Sequence, residues 1–213
     1  AGAIAEMKKK ILPKDYAELN FRHMHIYLLE AAPGLLNGMH AKLGKAVQTY
    51  LNQLGVEVHT GTAVKDYDGE TVMLSNGETI GSHTLIWAAG VRGVIIPGIP
   101  EDTVAANGRL FVNEYNNLKG LNDIYAIGDI ALMQDDTYSK GHPQVAQVAI
   151  QQAVLLARNL EKKESGKPLI SFKYNNKGSM ATVGRNLAVA EIGKLKLKGF
   201  FAWVIWMMVH LMS

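Results

Sequence analysis

Met24-His25-Ile26-Tyr27-Leu28-Leu29-Glu30-Ala31-Ala32-Pro33-Gly34 is the stretch from which the fold is read. A mainly apolar run ends in an acid, and Ala31-Ala32-Pro33-Gly34 then turns the chain, the pattern of a short buried strand with a carboxylate at its carboxyl end. Downstream, Leu43, Val47, Tyr50, Leu51 and Leu54 recur at three-to-four spacing, which predicts a helix over about residues 40–54, stopped by Gly55. Val56-Glu57-Val58-His59-Thr60 follows as a second strand. Strand, helix and strand make a β-α-β unit, so the fold class is α/β.

Upstream, Ala1-Gly2-Ala3-Ile4-Ala5-Glu6-Met7-Lys8 reads as a helix already under way, small apolar residues leading into a polar face. A signal peptide would place its charges first, and here they follow; the expectation is that further chain precedes it. On the other side come residues 65–67, an Asp68-Gly69 turn, residues 71–74, an Asn76-Gly77 turn and residues 78–80, a small antiparallel meander. Thr84-Leu85-Ile86-Trp87-Ala88-Ala89-Gly90 reads as an apolar strand ending in small residues. Pro97, Gly98, Pro100 and Gly108 mark residues 94–108 as a crossover, with a domain boundary near residue 92. Ile124-Tyr125-Ala126-Ile127 is read as a strand closed by Gly128-Asp129, and a Gln-rich helix is predicted over about residues 144–160.

The 213 residues are 48% apolar and 19% charged, the composition of a packed globular chain. Lys and Arg number 22 against 19 Asp and Glu, and no basic stripe is interleaved with aromatics, so nucleic acid is not an expected partner. The absence of cysteine excludes disulfides and thiolate metal sites. His23 and His25 could share one face of an extended segment, but no acidic cluster accompanies them and no metal site is expected.

Five places could carry chemistry. An acid at a strand end, as Glu30 is, suits the ribose hydroxyls of a dinucleotide, although taken alone it reads first as a solvent-facing acid and no G-x-G-x-x-G occurs in the chain. Trp87-Ala88-Ala89-Gly90 would let a flat cofactor or its phosphates approach the backbone, or simply pack. Gly128-Asp129 would present a carboxylate to ribityl hydroxyls at a sheet edge. Gln147 and Gln151 share a helix face, and neutral amides can bond a quinone carbonyl without stranding a charge; a solvated Gln pair is the plain alternative. Last, Lys194, Lys196 and Lys198 precede the apolar run from Phe200 through Trp203 and Trp206 to Met212. That run is too short to span a bilayer and suits an interfacial helix on anionic lipid, with burial in a core or a homodimer contact as the alternative.

Taken together, Leu29-Glu30-Ala31-Ala32-Pro33, Trp87-Ala88-Ala89-Gly90-Val91, Ile124 to Asp129, Ala146-Gln147-Val148-Ala149-Ile150-Gln151, Gly178-Ser179-Met180-Ala181-Thr182-Val183-Gly184-Arg185 and Ala202-Trp203 through His210-Leu211 resemble the type II, single-subunit, non-proton-pumping NADH:quinone oxidoreductases, within the flavoproteins that carry two dinucleotide-binding domains. The resemblance implies an incomplete Rossmann-like NADH domain over residues 1–92 with the inserted meander. The distal part of an FAD domain would occupy 93–165, and 166–213 would be a membrane-association region with an amphipathic carboxyl-terminal helix. It implies that Glu30 holds the adenosine ribose of NADH and that Trp87, Ala88, Ala89 and Gly90 line the nicotinamide and pyrophosphate path. Gly128 and Asp129 would hold the ribityl-pyrophosphate part of FAD, with Gln147 and Val148 beside the flavin. Gln147, Ile150 and Gln151 would border the quinone, Gln147 and Gln151 being the expected catalytic pair. A peripheral respiratory enzyme on the cytoplasmic face of the cell membrane is the expected setting, and the 213 residues alone are expected to be inactive. A soluble pyridine-nucleotide:flavin reductase relative and a non-catalytic α/β module with a membrane-binding helix are the competing readings.

Overall fold

The structure, a computed structural model, describes residues 1–94 and 96–212; Ile95, within the expected 94–108 crossover, and Ser213, last in the expected carboxyl-terminal region, lie outside the described residues. In chain order the elements begin with α1 (Gly2–Lys10), α2 (Leu12–Asp15), β1 (Tyr27–Glu30), α3 (Ala41–Gln53), β2 (Glu57–Thr60), β3 (Val64–Tyr67), β4 (Thr71–Leu74) and β5 (Thr79–Gly81). Then come β6 (Leu110–Val112), β7 (Ala131–Met133) and α4 (Ala146–Glu164). The last are β8 (Ser179–Gly184), β9 (Leu187–Ile192), β10 (Leu195–Gly199) and α5 (Phe200–Met212). They form two compact units, one of Ala1–Ile86 with Lys177–Ser213 and one of Trp87–Asn176.

In the first unit β1 and β2 pair in parallel, Tyr27 opposite Glu57 and Glu30 opposite Thr60. Parallel neighbours need a crossover, and α3 supplies it. The stripe on α3 buries Leu43, Val47 and Leu51 against Ile26, Val56, Ala5, Val183 and Val189. Its carboxyl end is closed by Gly55 at φ 85, with Val56 N donating to Leu51 O at 3.0 Å, a left-handed cap that residues other than Gly adopt only with strain. The meander β3-β4-β5 is antiparallel as read. At its first turn Asp68 Oδ1 accepts from Glu70 N at 2.9 Å and Thr71 N at 2.7 Å. Those two N–H groups hold the Asp68 carboxyl below the usual carboxylate range.

The same unit contains a three-stranded antiparallel sheet in the order β10-β9-β8, for which the sequence reading assigned no strands. Lys194 is therefore not on the approach to a helix but in the two-residue turn Gly193-Lys194, where Gly193 at φ 58 reverses the chain and brings Leu195 opposite Ile192. Lys196 and Lys198 lie on β10, on one face of that strand. α1 seats directly on β8, where a Cβ on Gly2 would fall 1.5 Å from Val183 O. α5 packs on β9 through fully buried alanines, Ala202 with Ala188 and Ala190.

In the second unit β6 and β7 pair in parallel, Leu110 opposite Ala131. Their core joins Val112, Leu118, Ala126, Met133, Val148 and Phe172. Two expected strands are not ladder strands here. Tyr125 makes a single antiparallel bridge to Asn117, with Ala126 N donating to Asn116 O at 3.0 Å, so residues 124–127 are extended but only locally paired. Residues 84–90 form no regular element, and no described strand pairs with them. Apolar sequence favours extension, but a strand exists only where a neighbour takes its N–H and C=O groups.

Candidate functional site

In the first unit the candidate for a nucleotide is the carboxyl end of β1. Glu30 is half-buried there; its Oε1 accepts from Ala32 N at 2.8 Å, and its backbone O accepts from Thr62 N at 3.0 Å. The side chain is thus tied to the strand-to-turn reversal that Ala31-Ala32-Pro33-Gly34 signalled. Sheet pairing below and this turn above fix where the carboxylate stands.

The second unit holds the expected flavin and quinone residues and Trp87 to Gly90. Trp87 is 66% exposed, and Ala88, Ala89 and Gly90 are exposed with it. Gly90 lies at φ 91, with nothing within 4 Å of where a Cβ would stand. Val91, Arg92, Gly93, Val94, Asp129, Ile130 and Gln144 line a shallow pocket of about 210 Å³. Behind it the backbone approaches itself closely, since a Cβ on Gly93 would fall 2.1 Å from Gly108 O.

Gly128, Asp129 and Ile130 form a single tight turn. Gly128 sits at φ 69, and a Cβ there would be 3.2 Å from Ala149 Cβ, so this position suits glycine on two counts. Its N–H donates to Gln152 Oε1 at 2.7 Å, and Gln144 Nε2 donates to Asp129 O at 3.0 Å. The Asp129 side chain stands exposed beside this scaffold.

α4 opens next to that turn. Val148 is buried, Gln147 half-buried, and Ile150 is 63% exposed. Gln151 grips the backbone of Asn175 at both ends: its Nε2 donates to Asn175 O at 2.9 Å and its Oε1 accepts from Asn175 N at 2.9 Å. Asn159 grips Ile170 in the same way, Nδ2 to O at 2.8 Å and N to Oδ1 at 2.9 Å. Amides on α4 therefore fasten both the Gly128 turn and the strand-like segment 170–175. A side chain that carries both a donor and an acceptor suits that task.

Three residues the sequence reading passed over sit at the base of the site. Arg109 is 6% exposed; its Nη2 donates to Ala131 O at 2.5 Å and to His142 O at 3.1 Å. Burial pulls its guanidinium below the usual arginine range, and the Asp129 carboxylate draws it back up. His142 is buried among Tyr138, Phe172 and Tyr174, with ring centroids at 4.6, 5.3 and 5.8 Å. Its Nε2 comes within 3.2 Å of Asp135 Oδ2 without hydrogen-bond alignment, so neither ring nitrogen is bonded within the described residues. Burial lowers the His142 pKa, Asp135 raises it, and Arg109 lowers it further. Gln152 is the third. Lone residues of these kinds carry no periodic signal, and only the neighbouring chain reveals their partners.

The carboxyl-terminal candidates lie in the first unit. α5 exposes Phe200, Phe201, Met208, Val209 and Leu211, while Trp203 and Trp206 are half-buried. Phe200 stacks on Trp203 with centroids 5.9 Å apart, and Trp206 on His210 at 4.7 Å. No helix among the described residues is long and apolar enough to cross a membrane. No group of three or more potential metal ligands occurs among them.

A family model described as pyridine nucleotide-disulphide oxidoreductase matches residues 2–153. The type II NADH:quinone oxidoreductase Ndh of Mycobacterium tuberculosis is 36% identical over 99% of this chain and 47% of its own length. A type II NADH:quinone oxidoreductase of Haemophilus influenzae is 29% identical over 88% of this chain and 44% of its own length. This chain thus spans about half the length of the curated relatives it matches. Among solved structures, NDH2 of Plasmodium falciparum in complex with NADH superposes with a TM-score of 0.87 at 20% identity, over 98% of this chain and 58% of that one. The sulfide:quinone oxidoreductase of Aquifex aeolicus gives 0.69 at 15% identity, over 97% and 52%. At such identities the superpositions establish the fold.

Proposed function

The chain belongs to the pyridine nucleotide-disulphide oxidoreductase family, and from that premise we propose that it is part of a flavin-dependent type II NADH:quinone oxidoreductase, a peripheral respiratory enzyme of the cytoplasmic membrane face. The observation that carries the reading is the similarity to the M. tuberculosis enzyme along 99% of the chain. The local geometry supports it. Glu30 Oε1 is occupied by Ala32 N, leaving Oε2 to accept from the adenosine ribose of NADH, and a carboxylate there disfavours the additional phosphate of NADPH. Residues 1–92 would be the NADH domain, 93–165 the distal FAD domain and 166–213 the membrane-association region.

The second unit suits FAD through the exposed Asp129 carboxylate on a turn tied by its backbone, and the open backbone at Gly90, where a side chain is absent, leaves room for a cofactor to approach. Trp87 to Gly90 would line the path of the nicotinamide and pyrophosphate. Gly128 and Asp129 would take the ribityl portion, with Gln147 and Val148 alongside. When bound, FAD supplies hydride acceptance from NADH and two-electron delivery to quinone. Ile150 offers apolar surface to a quinone ring, Gln147 an amide for its carbonyl, and Gln151 the clamp on Asn175 that holds the neighbouring wall. Lys194, Lys196 and Lys198 would meet anionic headgroups while Phe200, Trp203 and Trp206 enter the interface.

Full-length protein should purify with flavin and reduce a short-chain quinone with NADH. Glu30→Gln should lower the preference for NADH over NADPH about tenfold. A flavin-free protein that oxidises neither nucleotide would sink the reading. The 213 residues alone, which contain no G-x-G-x-x-G, should retain no flavin through gel filtration.

A further inference from the structure

Gln152 is 1% exposed, on the face of α4 that also buries Val148 and Asn159. A buried amide is retained at little cost only where its polar atoms are matched, and the match here is the Gly128 N–H at 2.7 Å. The rest of this turn is held as well. Ala131 N donates to Gly128 O, Gln144 Nε2 to Asp129 O, and Arg109 Nη2 to Ala131 O. Of the side-chain ties only the one from Gln152 reaches the residue at φ 69, which sets the direction in which the chain delivers Asp129. Without it, Gly128 keeps the backbone tie from Ala131 N, but its own N–H has no buried acceptor.

We infer that Gln152 is a positioning residue: by accepting from Gly128 N it fixes the turn that aims the Asp129 carboxylate at the ribityl hydroxyls of the flavin. This rests on the flavoenzyme reading above, and it assigns to the second Gln of Gln151-Gln152 a role different from that of the first, which holds Asn175. Ala149, whose Cβ stands 3.2 Å from where a Gly128 side chain would be, closes the same contact from the adjacent helical turn.

Gln152→Met and Gln152→Glu separate acceptor from volume, since Met keeps the length and apolar fill while Glu keeps an oxygen that accepts. In the full chain, Gln152→Met should speed hydrogen exchange at the Gly128 amide and raise the flavin dissociation constant, each about tenfold, as expected for a buried N–H left without its partner. Gln152→Glu should stay within about threefold of wild type on both measures. Met and Glu variants that behave alike, after matching for melting temperature, would reduce Gln152 to packing and overturn the inference. If wild-type protein holds no flavin, the functional reading falls, and the exchange ratio between the Met and Glu variants still decides whether Gln152 holds the turn.

Discussion

Arg109→Met should be among the most costly substitutions in the second unit. The guanidinium bonds two carbonyls from separate segments, Ala131 O on β7 and His142 O ahead of α4, so one side chain joins β6, β7 and the approach to α4. Hydrogen bonds to charged groups contribute about 1.5–3 kcal/mol each, which puts the loss at roughly 3–6 kcal/mol. Against this, Arg109 Nε is buried without a partner, and relieving an imperfectly paired buried charge returns on the order of 1–3 kcal/mol. A net destabilisation of about 2–3 kcal/mol follows. In urea, with a slope of about 1–3 kcal/mol per molar, the midpoint of this unit should fall by about 1 M or more, read from Trp87, the tryptophan in this unit. Arg109→Lys, which keeps the charge but presents a single ammonium, should lose roughly half as much. A Met variant within about 0.5 kcal/mol of wild type would refute the idea that Arg109 ties these segments together.

Three further outcomes are expected. His142, with Asp135, Arg109, Tyr138 and Tyr174 around it, has its pKa lowered in the folded state, so the unfolded chain binds the proton more readily. Stability is then full above the ordinary value of 6.5 and is lost as pH falls from there toward the folded-state value; the melting temperature of His142→Phe should be flatter than wild type between pH 7.5 and 5.5. Gly128→Ala should cost about 1–2 kcal/mol in thermal unfolding, from the left-handed backbone, and Gly128→Asn should recover part of that loss. Reversing Lys196 and Lys198 to Glu should abolish flotation with anionic liposomes in low salt while leaving the far-ultraviolet spectrum unchanged; flotation that persists in the variant would take the lysines out of the lipid contact, and a wild type that forms a concentration-dependent dimer in place of floating would assign the apolar face of α5 to a second copy.

The β1-α3-β2 unit was legible because its signals are local: an apolar run of strand length, a helical stripe and Gly55 as a stop. The meander was legible from Asp68-Gly69 and Asn76-Gly77. The sheet β8-β9-β10 carried comparable signals, a Gly193-Lys194 reversal and the alternation of Leu195 and Leu197 with Lys196 and Lys198. They were masked because lysines ahead of an aromatic run also describe a membrane-surface helix. β6 and β7 were not legible, since each is only three residues long and their pairing joins Leu110 to Ala131 across a long loop. Among the candidate residues, Glu30 in the first unit and Gly128 and Asp129 in the second each stand at a chain reversal, and reversals leave marks in sequence. Arg109, His142 and Gln152 act through distant backbone groups, which leave none.

The first unit is discontinuous, with Ala5 and Val47 sharing a core with Val183 and Val189. During synthesis the ribosome must deliver the whole of Trp87–Asn176 before those valines emerge, an interval of roughly 5–20 s at about 5–20 residues per second. Over that time the apolar sides of α1 and α3 lack their lid, and the nascent chain presents them to any holdase at the tunnel exit. Assembly of the first unit is thereby timed to the arrival of β8 and β9, so a ribosome stalled between them and β7 would release a polypeptide able to complete at most its later-made unit.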